Sequence, residues 1–459
     1  MRKTNRSVRY IAIEILISWE EDHLPVDQVM ENQTADTAFS DPRDRQLLTA
    51  LVYGVLRWRA YLDWVVEKFS KYPLARMKNR TLQALRLGIF QLIFLDRVPA
   101  SAAINETVQA LKDMKQPKWL TGFVNGMLRS VAREQDNIPT PLREKNSGSL
   151  PAAVRLSHPE WLFKRWQQRY GEEDAISICR ANNTMAPICL RVNTTLTTPA
   201  ALLEKLSKEG LIAAPGKYSP LALRLVDYSG PITSVPGFAE GLFQVQDEAA
   251  QLVSMVLGPL QPEGTYLDGC SGLGGKTTHL AQELAAGSKL LAVEPNSGRL
   301  RKLQENLVRL RLDHRVTIVE GTLSSLLPEN KEKFTGVLID APCSGMGVIR
   351  RHPDIRWNRS PADLSRYQEQ QTGLLREAAQ LVAHQGILVY ATCSTEPEEN
   401  EEVVKKFLAA QPHFILSHCR DVLPESAAGL VDSQGFLRII PGREDLDGFF
   451  AARFIKMTK

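Results

Sequence analysis

Two short segments carry the residue types that could do covalent chemistry. One is Asp340-Ala-Pro-Cys343-Ser-Gly-Met-Gly and the other Tyr390-Ala-Thr-Cys393-Ser-Thr; each puts a cysteine just after an apolar run and follows it with serine. A cysteine is most often a small core residue, and either one alone would be read that way. Two in matching contexts, with Asp340 just upstream of the first, suit methylation of a pyrimidine at carbon 5. That carbon is a poor nucleophile until a thiolate adds to carbon 6 and turns the ring into an enamine-like species, which can attack a sulfonium methyl group. A free thiol is only a few per cent ionised at neutral pH, so the site must favour the thiolate or move its proton elsewhere. In such a reaction Asp340 would hydrogen-bond N3 and the exocyclic amine of cytosine. A base would then remove the carbon 5 proton so that the cysteine can leave.

A third segment could hold the methyl donor. Asp268-Gly-Cys-Ser-Gly-Leu-Gly-Gly-Lys-Thr-Thr-His279 joins a strand pattern to a helix pattern, and its glycines let the backbone approach a ligand closely. Three ligands compete for it. A phosphate loop needs G-x-x-x-x-G-K-[ST], but its first glycine falls on Cys270. A dinucleotide loop needs G-x-G-x-x-G, but its third glycine falls on Thr277. S-adenosylmethionine needs a glycine-rich turn and an acid for its ribose hydroxyls. Glu294 ends the next strand pattern, where a doubly wound nucleoside fold places that acid.

The elements that would position these residues alternate. Strand patterns at Thr265–Asp268, Lys289–Glu294, Val316–Val319, Gly336–Asp340 and Gly386–Thr392 are separated by helical patterns at Lys276–Ala286, Ser297–Leu312 and Pro361–His384, with a last helix at Glu398–Ala410. This predicts a parallel, doubly wound sheet, with ligands beyond the carboxyl ends of its strands. Glu396, Glu398, Glu399, Glu401 and Glu402 read as an acidic helix start. Such a run complements the helix dipole, a structural role and not a metal site. Upstream, residues 1–142 carry helical periodicity throughout, residues 143–156 have a Pro/Ser/Gly-rich linker composition, and residues 157–242 suit a small α+β module. Residues 243–459 hold the alternating pattern.

The chain has 459 residues, 43% hydrophobic and 24% charged, which excludes a disordered or collagen-like chain. No stretch approaches the ~18 apolar residues of a membrane span. Glu14 interrupts the N-terminal apolar segment, no small-residue cleavage site follows, and Val8, Ile11, Ile15 and Trp19 form a helical stripe. Six cysteines without paired C-x-x-C hooks exclude a disulfide scaffold and a zinc ribbon. A reducing cytoplasm is expected, with no membrane and no metal. The net charge of +4 matters less than its placement. Arg57, Arg59, Lys68, Lys71, Arg76, Lys78, Arg80, Arg86 and Arg97 cluster in one stretch; Arg350, Arg351, Arg356 and Arg359 surround Trp357 in another. Basic residues interleaved with an aromatic suit a surface that tracks a nucleic-acid backbone, so Arg350, Arg351, Arg356 and Trp357 are candidate RNA contacts.

The pair Asp340-Ala-Pro-Cys343 and Ala391-Thr-Cys393-Ser resembles the Pro-Cys and Thr-Cys motifs of the Sun family of RNA cytosine-5 methyltransferases. The segment Gly347-Val-Ile-Arg-Arg-His-Pro-Asp-Ile-Arg-Trp357 and the ending Asp447-Gly-Phe-Phe450 are similar to that family's bacterial 16S ribosomal RNA branch. Leu85-Arg-Leu-Gly-Ile-Phe-Gln-Leu92 and Phe123-Val-Asn-Gly-Met-Leu-Arg129 resemble the NusB-type domain fused to it. The resemblance implies a multidomain chain: an N-terminal all-α NusB-like RNA-binding domain, a small α+β middle module, and a C-terminal α/β Rossmann-like class I methyltransferase domain. It implies Cys393 as nucleophile, Cys343 in product release, Asp340 in cytosine activation and Lys276 near the base. DNA cytosine methyltransferases attack with the Pro-Cys cysteine and carry a Glu-Asn-Val motif, which this chain lacks.

The implied contacts to S-adenosyl-L-methionine are Cys270, Ser271, Gly272, Leu273, Gly274, Gly275, Lys276, Glu294, Asp340 and, more weakly, Thr322, which stands where the family has an acid. The glycine loop also departs from the family's usual Cys-Ala-Ala-Pro-Gly-Gly-Lys. The expected partner is 16S ribosomal RNA or an assembling small ribosomal subunit, bound by a monomer. Two other classes stand beside this reading: a non-catalytic RNA-binding assembly factor, for which two intact thiols have no use, and an NTPase.

Overall fold

A computed structural model describes residues 6–35, 39, 41–141 and 150–458; the first half of the expected linker, residues 143–149, lies outside them. Two compact units emerge, residues 1–184 with 349–358, and residues 185–348 with 359–459.

The first unit is helical: α1 (Val8–Asp22), α2 (Val26–Thr34), α3 (Pro42–Arg57), α4 (Arg59–Phe69), α5 (Asn79–Phe94), α6 (Ala100–Asp113), α7 (Lys118–Arg133), α8 (Glu160–Tyr170) and α9 (Glu172–Asn183). Local sequence explains the starts. The Ser7 hydroxyl accepts from the Tyr10 N–H, and the Asp41 carboxylate caps α3 at the Arg43 N–H with Pro42 following, so each satisfies a donor the helix itself leaves free. The stripe of α1 buries Ile11, Ile15 and Trp19 as its spacing requires, and α5 is buried on nearly every side, from Gln83 to Ile93. That makes α5 the central helix around which the others pack. Helix α9 was not expected, and α8 and α9 pack with this unit although sequence groups them with the middle module.

The second unit holds two sheets. The smaller is antiparallel in the order β2 (Ala213–Pro215), β3 (Ala222–Leu225), β1 (Cys189–Val192), β4 (Phe243–Val245), and α10 (Pro199–Lys208) covers it. The larger has eight strands. β5 (Thr265–Asp268), β6 (Lys289–Glu294), β7 (Val316–Glu320), β8 (Phe334–Asp340) and β9 (Val382–Thr392) are parallel in the order β7-β6-β5-β8-β9. β12 (Phe449–Lys456) adds antiparallel to β9, and β10 (Phe414–Ser417) and β11 (Leu437–Ile439) both pair with β12. The helices of this domain are α11 (Glu248–Met255), α12 (Gly275–Glu283), α13 (Ser297–Arg309), α14 (Leu323–Asn330), α15 (Pro361–Leu381) and α16 (Glu401–Ala410).

Sequence patterning located the five parallel strands but not the three antiparallel ones, which are short or follow no helix. It also ended α15 too late: Val382 already pairs with Phe334 across an irregularity in the β8–β9 ladder. The register puts Asp340 opposite Ala391, so the loops after β8 and β9 leave the sheet side by side. Among the described residues no helix is long and apolar enough to cross a membrane, and no His/Cys/Asp/Glu group could hold a metal ion.

Candidate active site

The switch in strand order falls between β5 and β8, and the loop after β5 is the glycine-rich one. Gly272 and Gly274 take positive φ angles of 54° and 88°, a backbone that L side chains rarely adopt. A Cβ on Gly272 would project into open space, so the turn presents bare backbone. Glu294, at the end of β6, is buried and ties the turn down: its Oε2 accepts from the Gly272 N–H at 3.0 Å and its Oε1 from the Asn296 N–H at 3.0 Å. The Ser271 N–H donates to the Val293 carbonyl, the half-exposed Leu273 accepts from Asn306, and the Gly275 carbonyl accepts from the buried Arg191 guanidinium at 2.7 Å. Cys270 is half-buried, and burial raises its thiol pKa. An accessible glycine turn with a carboxylate at the next strand end fits an adenosine-bearing ligand. Thr322 sits at the start of α14, exposed, with its hydroxyl bonded to that of Ser324 at 2.8 Å.

Asp268 is a site residue that sequence reasoning passed over. It is buried, accepts from the Thr277 hydroxyl at 2.7 Å, and desolvation, with Asp340 adding negative charge, raises its pKa to about 6. Its place in the motif, heading the glycine turn, was the available signal. Lys276 enters from the first turn of α12, 2.6 Å from Asp340 Oδ2 and 5.1 Å from the Phe449 ring centre. This pair joins the glycine loop to the loop carrying Cys343.

The sulfurs of Cys343 and Cys393 are 3.2 Å apart. The hydrogen bond to Cys393, burial, and the negative charge of Glu399 and Asp340 all hold Cys343 well above the usual thiol range, as a protonated thiol. The loops are laced together. The Gly347 N–H donates to the Cys393 carbonyl at 2.9 Å, and the Gly448 N–H to the Gly347 carbonyl at 2.7 Å. A Cβ at Gly347 would lie 2.2 Å from the Gly448 carbonyl oxygen, so only glycine admits that approach. Glu399, in the acidic run expected at a helix start, stands just before α16, is fully buried, and accepts from both serines that follow the cysteines. Burial raises its pKa.

The candidate RNA contacts fare differently. Arg356 has no exposed surface; its guanidinium donates to the carbonyls of Ser157 and Asn182 and to the Asn183 side chain, and burial lowers its pKa to about 9. Arg350 is also buried, and its carbonyl accepts from Arg57. The Trp357 indole donates to the Leu56 carbonyl at 2.7 Å and packs against the helical core. The expectation of RNA contact is therefore corrected for Arg350 and Arg356, which are buried, and for Trp357, whose indole N–H is spent on Leu56; Arg351 is half-buried. In the upstream cluster Arg86 is buried against Asp63, whereas Lys68, Lys71, Arg76, Lys78 and Arg97 are exposed.

Comparison with known proteins agrees with this architecture. Residues 254–455 match the model described as 16S rRNA methyltransferase RsmB/F, residues 6–133 the NusB family, and residues 158–231 the ferredoxin-like domain of RsmF/B-like methyltransferases. The chain is 36% identical over 457 residues to a probable ribosomal RNA small subunit methyltransferase B of Bacillus subtilis strain 168, covering 98% of each. It is 35% identical to ribosomal RNA small subunit methyltransferase B of Salmonella typhi, covering 99% of this chain and 100% of that one. Among solved structures, a methyltransferase homologue from Pyrococcus horikoshii superposes with a TM-score of 0.57 at 29% identity, covering 67% of this chain and 98% of that one.

Proposed function

The chain belongs to the RsmB/F family of 16S ribosomal RNA methyltransferases, and from that premise we propose that it methylates carbon 5 of a cytosine through a covalent adduct on Cys393. The observation that carries the reading is the thiol pair at two neighbouring strand ends, sulfurs 3.2 Å apart, next to the Lys276–Asp340 pair. The attacking form is the thiolate; burial and the negative charge of Glu399 and Asp340 oppose ionisation of Cys343, and the family resemblance gives the attack to Cys393.

Gly272, Gly274 and Glu294 would hold S-adenosylmethionine, which supplies an electrophilic methyl group when bound. The chain's own part is as follows. Cys393, as the thiolate, would bond through Sγ to carbon 6 and push an electron pair onto carbon 5, while Asp340, paired with Lys276, would face the ring N3 and amine. After methylation a base takes the carbon 5 proton, the carbon 6–sulfur bond breaks and the ring regains aromaticity, with Cys343 assisting release. The target base must leave any stack to reach the thiol, which favours single-stranded or loop RNA. Residues 1–142 and 157–242 would dock the remaining RNA through phosphates, for which the exposed Lys68, Lys71, Arg76, Lys78 and Arg97 are suited.

The test is transfer of labelled methyl to unmodified 16S RNA and to assembling small subunits, with nucleoside analysis. Label in 5-methylcytosine that vanishes in Cys393→Ala, together with a protein–RNA adduct that accumulates in Cys343→Ala, supports the mechanism. Retention of 5-methylcytosine by Cys393→Ala overturns the nucleophile, and no transfer to either substrate favours a binding factor.

A further inference from the structure

Each cysteine is gripped on both sides by side chains from other parts of the chain. Around Cys343, the Gln371 amide donates to the Pro342 carbonyl at 2.9 Å, and the Ser344 N–H donates to Glu399 Oε1 at 2.7 Å. Around Cys393, the Thr392 hydroxyl donates to the Asn400 side chain at 2.6 Å, and Asn400 donates to the Ser394 carbonyl at 2.9 Å. The Ser344 and Ser394 hydroxyls both donate to Glu399 Oε2, and Gln371 donates to its Oε1 at 3.1 Å. One carboxylate thus accepts four hydrogen bonds, from a backbone amide, two hydroxyls and a side-chain amide, which fills the acceptor capacity of an ionised carboxylate. The Tyr390 hydroxyl fixes the same residue's backbone through its carbonyl.

We propose that Glu399 is the positioning residue of the thiol pair: its carboxylate bridges Ser344 and Ser394 and thereby sets Cys343 and Cys393 at their working separation. A carboxylate suits the site because all four neighbours donate to it. An amide at this position would turn an NH2 group against at least one of them, leaving a buried donor unsatisfied and pushing the loops apart. Glu399 is fully buried with both carboxylate oxygens occupied by these donors, so it acts through the two loops. Its negative charge also stands beside Cys343, with Asp340 and Cys393, and opposes ionisation of that thiol.

The thiol separation can be read without RNA or methyl donor. In the full-length protein, diamide oxidises two adjacent thiols to a disulfide and is itself reduced to the hydrazine, and peptide mapping identifies the Cys343–Cys393 link. Glu399→Gln is expected to slow that closure about 10-fold or more, and to lower kcat for methyl transfer about 10- to 100-fold while KM for S-adenosylmethionine stays within about 2-fold. Should Glu399→Gln fail to fold, the double variant Ser344→Ala/Ser394→Ala removes both bridging hydroxyls, leaves the carboxylate in place, and is expected to slow closure in the same direction. Wild-type closure in the folded variant overturns the proposal, as does slowed closure with unchanged kcat in an enzyme that methylates. The kcat arm rests on the function proposed above. Slowed closure in a protein whose wild type transfers no methyl group keeps the positioning role and removes that function instead.

Discussion

Two charged stretches of this chain exchange the roles their composition suggests. The basic one, Arg350–Arg359 around Trp357, has the look of a nucleic-acid surface, yet Arg350 and Arg356 are buried and the guanidinium of Arg356 holds the turns at Ser157 and Asn182–Asn183. The acidic one, Glu396–Glu402, has the look of a helix start that serves only the helix dipole, yet Glu399 is buried between the two cysteine loops. A run of like charges in sequence is usually solvated because burying an ion without partners is costly. Both exceptions are residues around which the fold gathers several partners of opposite hydrogen-bonding sense.

The comparison can be broken by experiment. Arg356→Ala should destabilise the protein by about 4 kcal/mol in urea unfolding, because several buried acceptors lose their donor at once. An RNA-contacting arginine would instead leave stability unchanged and reduce the salt dependence of RNA binding by about one phosphate contact. Asp268 extends the test to a buried acid held by a hydroxyl and an amide. Its pKa is raised to about 6 from the ordinary 3.8, so the folded state binds its proton more tightly than the unfolded chain. Its stabilising contribution is fully present below the ordinary value and is lost as pH rises through about 6, a change of about 3 kcal/mol. Urea midpoints measured from pH 4 to 7 should fall more steeply for wild type than for Asp268→Asn.

Trp357→Phe removes the hydrogen bond to the Leu56 carbonyl and part of the ring packed on the helical core and under Arg59, and should cost about 2 kcal/mol in the same unfolding measurement, with RNA affinity unchanged in a filter-binding titration. The smallest effect belongs to Glu402, exposed in α16. Glu402→Gln should shift stability by less than about 0.5 kcal/mol and leave methyl transfer at the wild-type rate. A large effect there would restore the acidic run as a unit and weaken the distinction drawn for Glu399.

The parallel half of the large sheet was legible in sequence because strands buried on both faces are short apolar runs separated by helices of clear periodicity. The glycine turn and Glu294 were legible for a related reason: backbone approach and strand-end acids depend on local sequence and on spacing within one repeating unit. β12 was not, since nothing in Phe449–Lys456 states that it returns antiparallel beside β9. Nor was the grip of Asn400 and Glu399 on Thr392, Ser394 and Ser344, although the serine after each cysteine was visible from the start.

The sequence by itself therefore determined which residues could do chemistry and in which turns they lie, because residue type and local periodicity are properties of contiguous chain. Only the tertiary structure decided which charges face water, which are enclosed, and that the Cys343 and Cys393 sulfurs come within 3.2 Å. Those outcomes depend on partners distant in sequence, and the free energy of a buried charge is set by those partners and not by its neighbours along the chain.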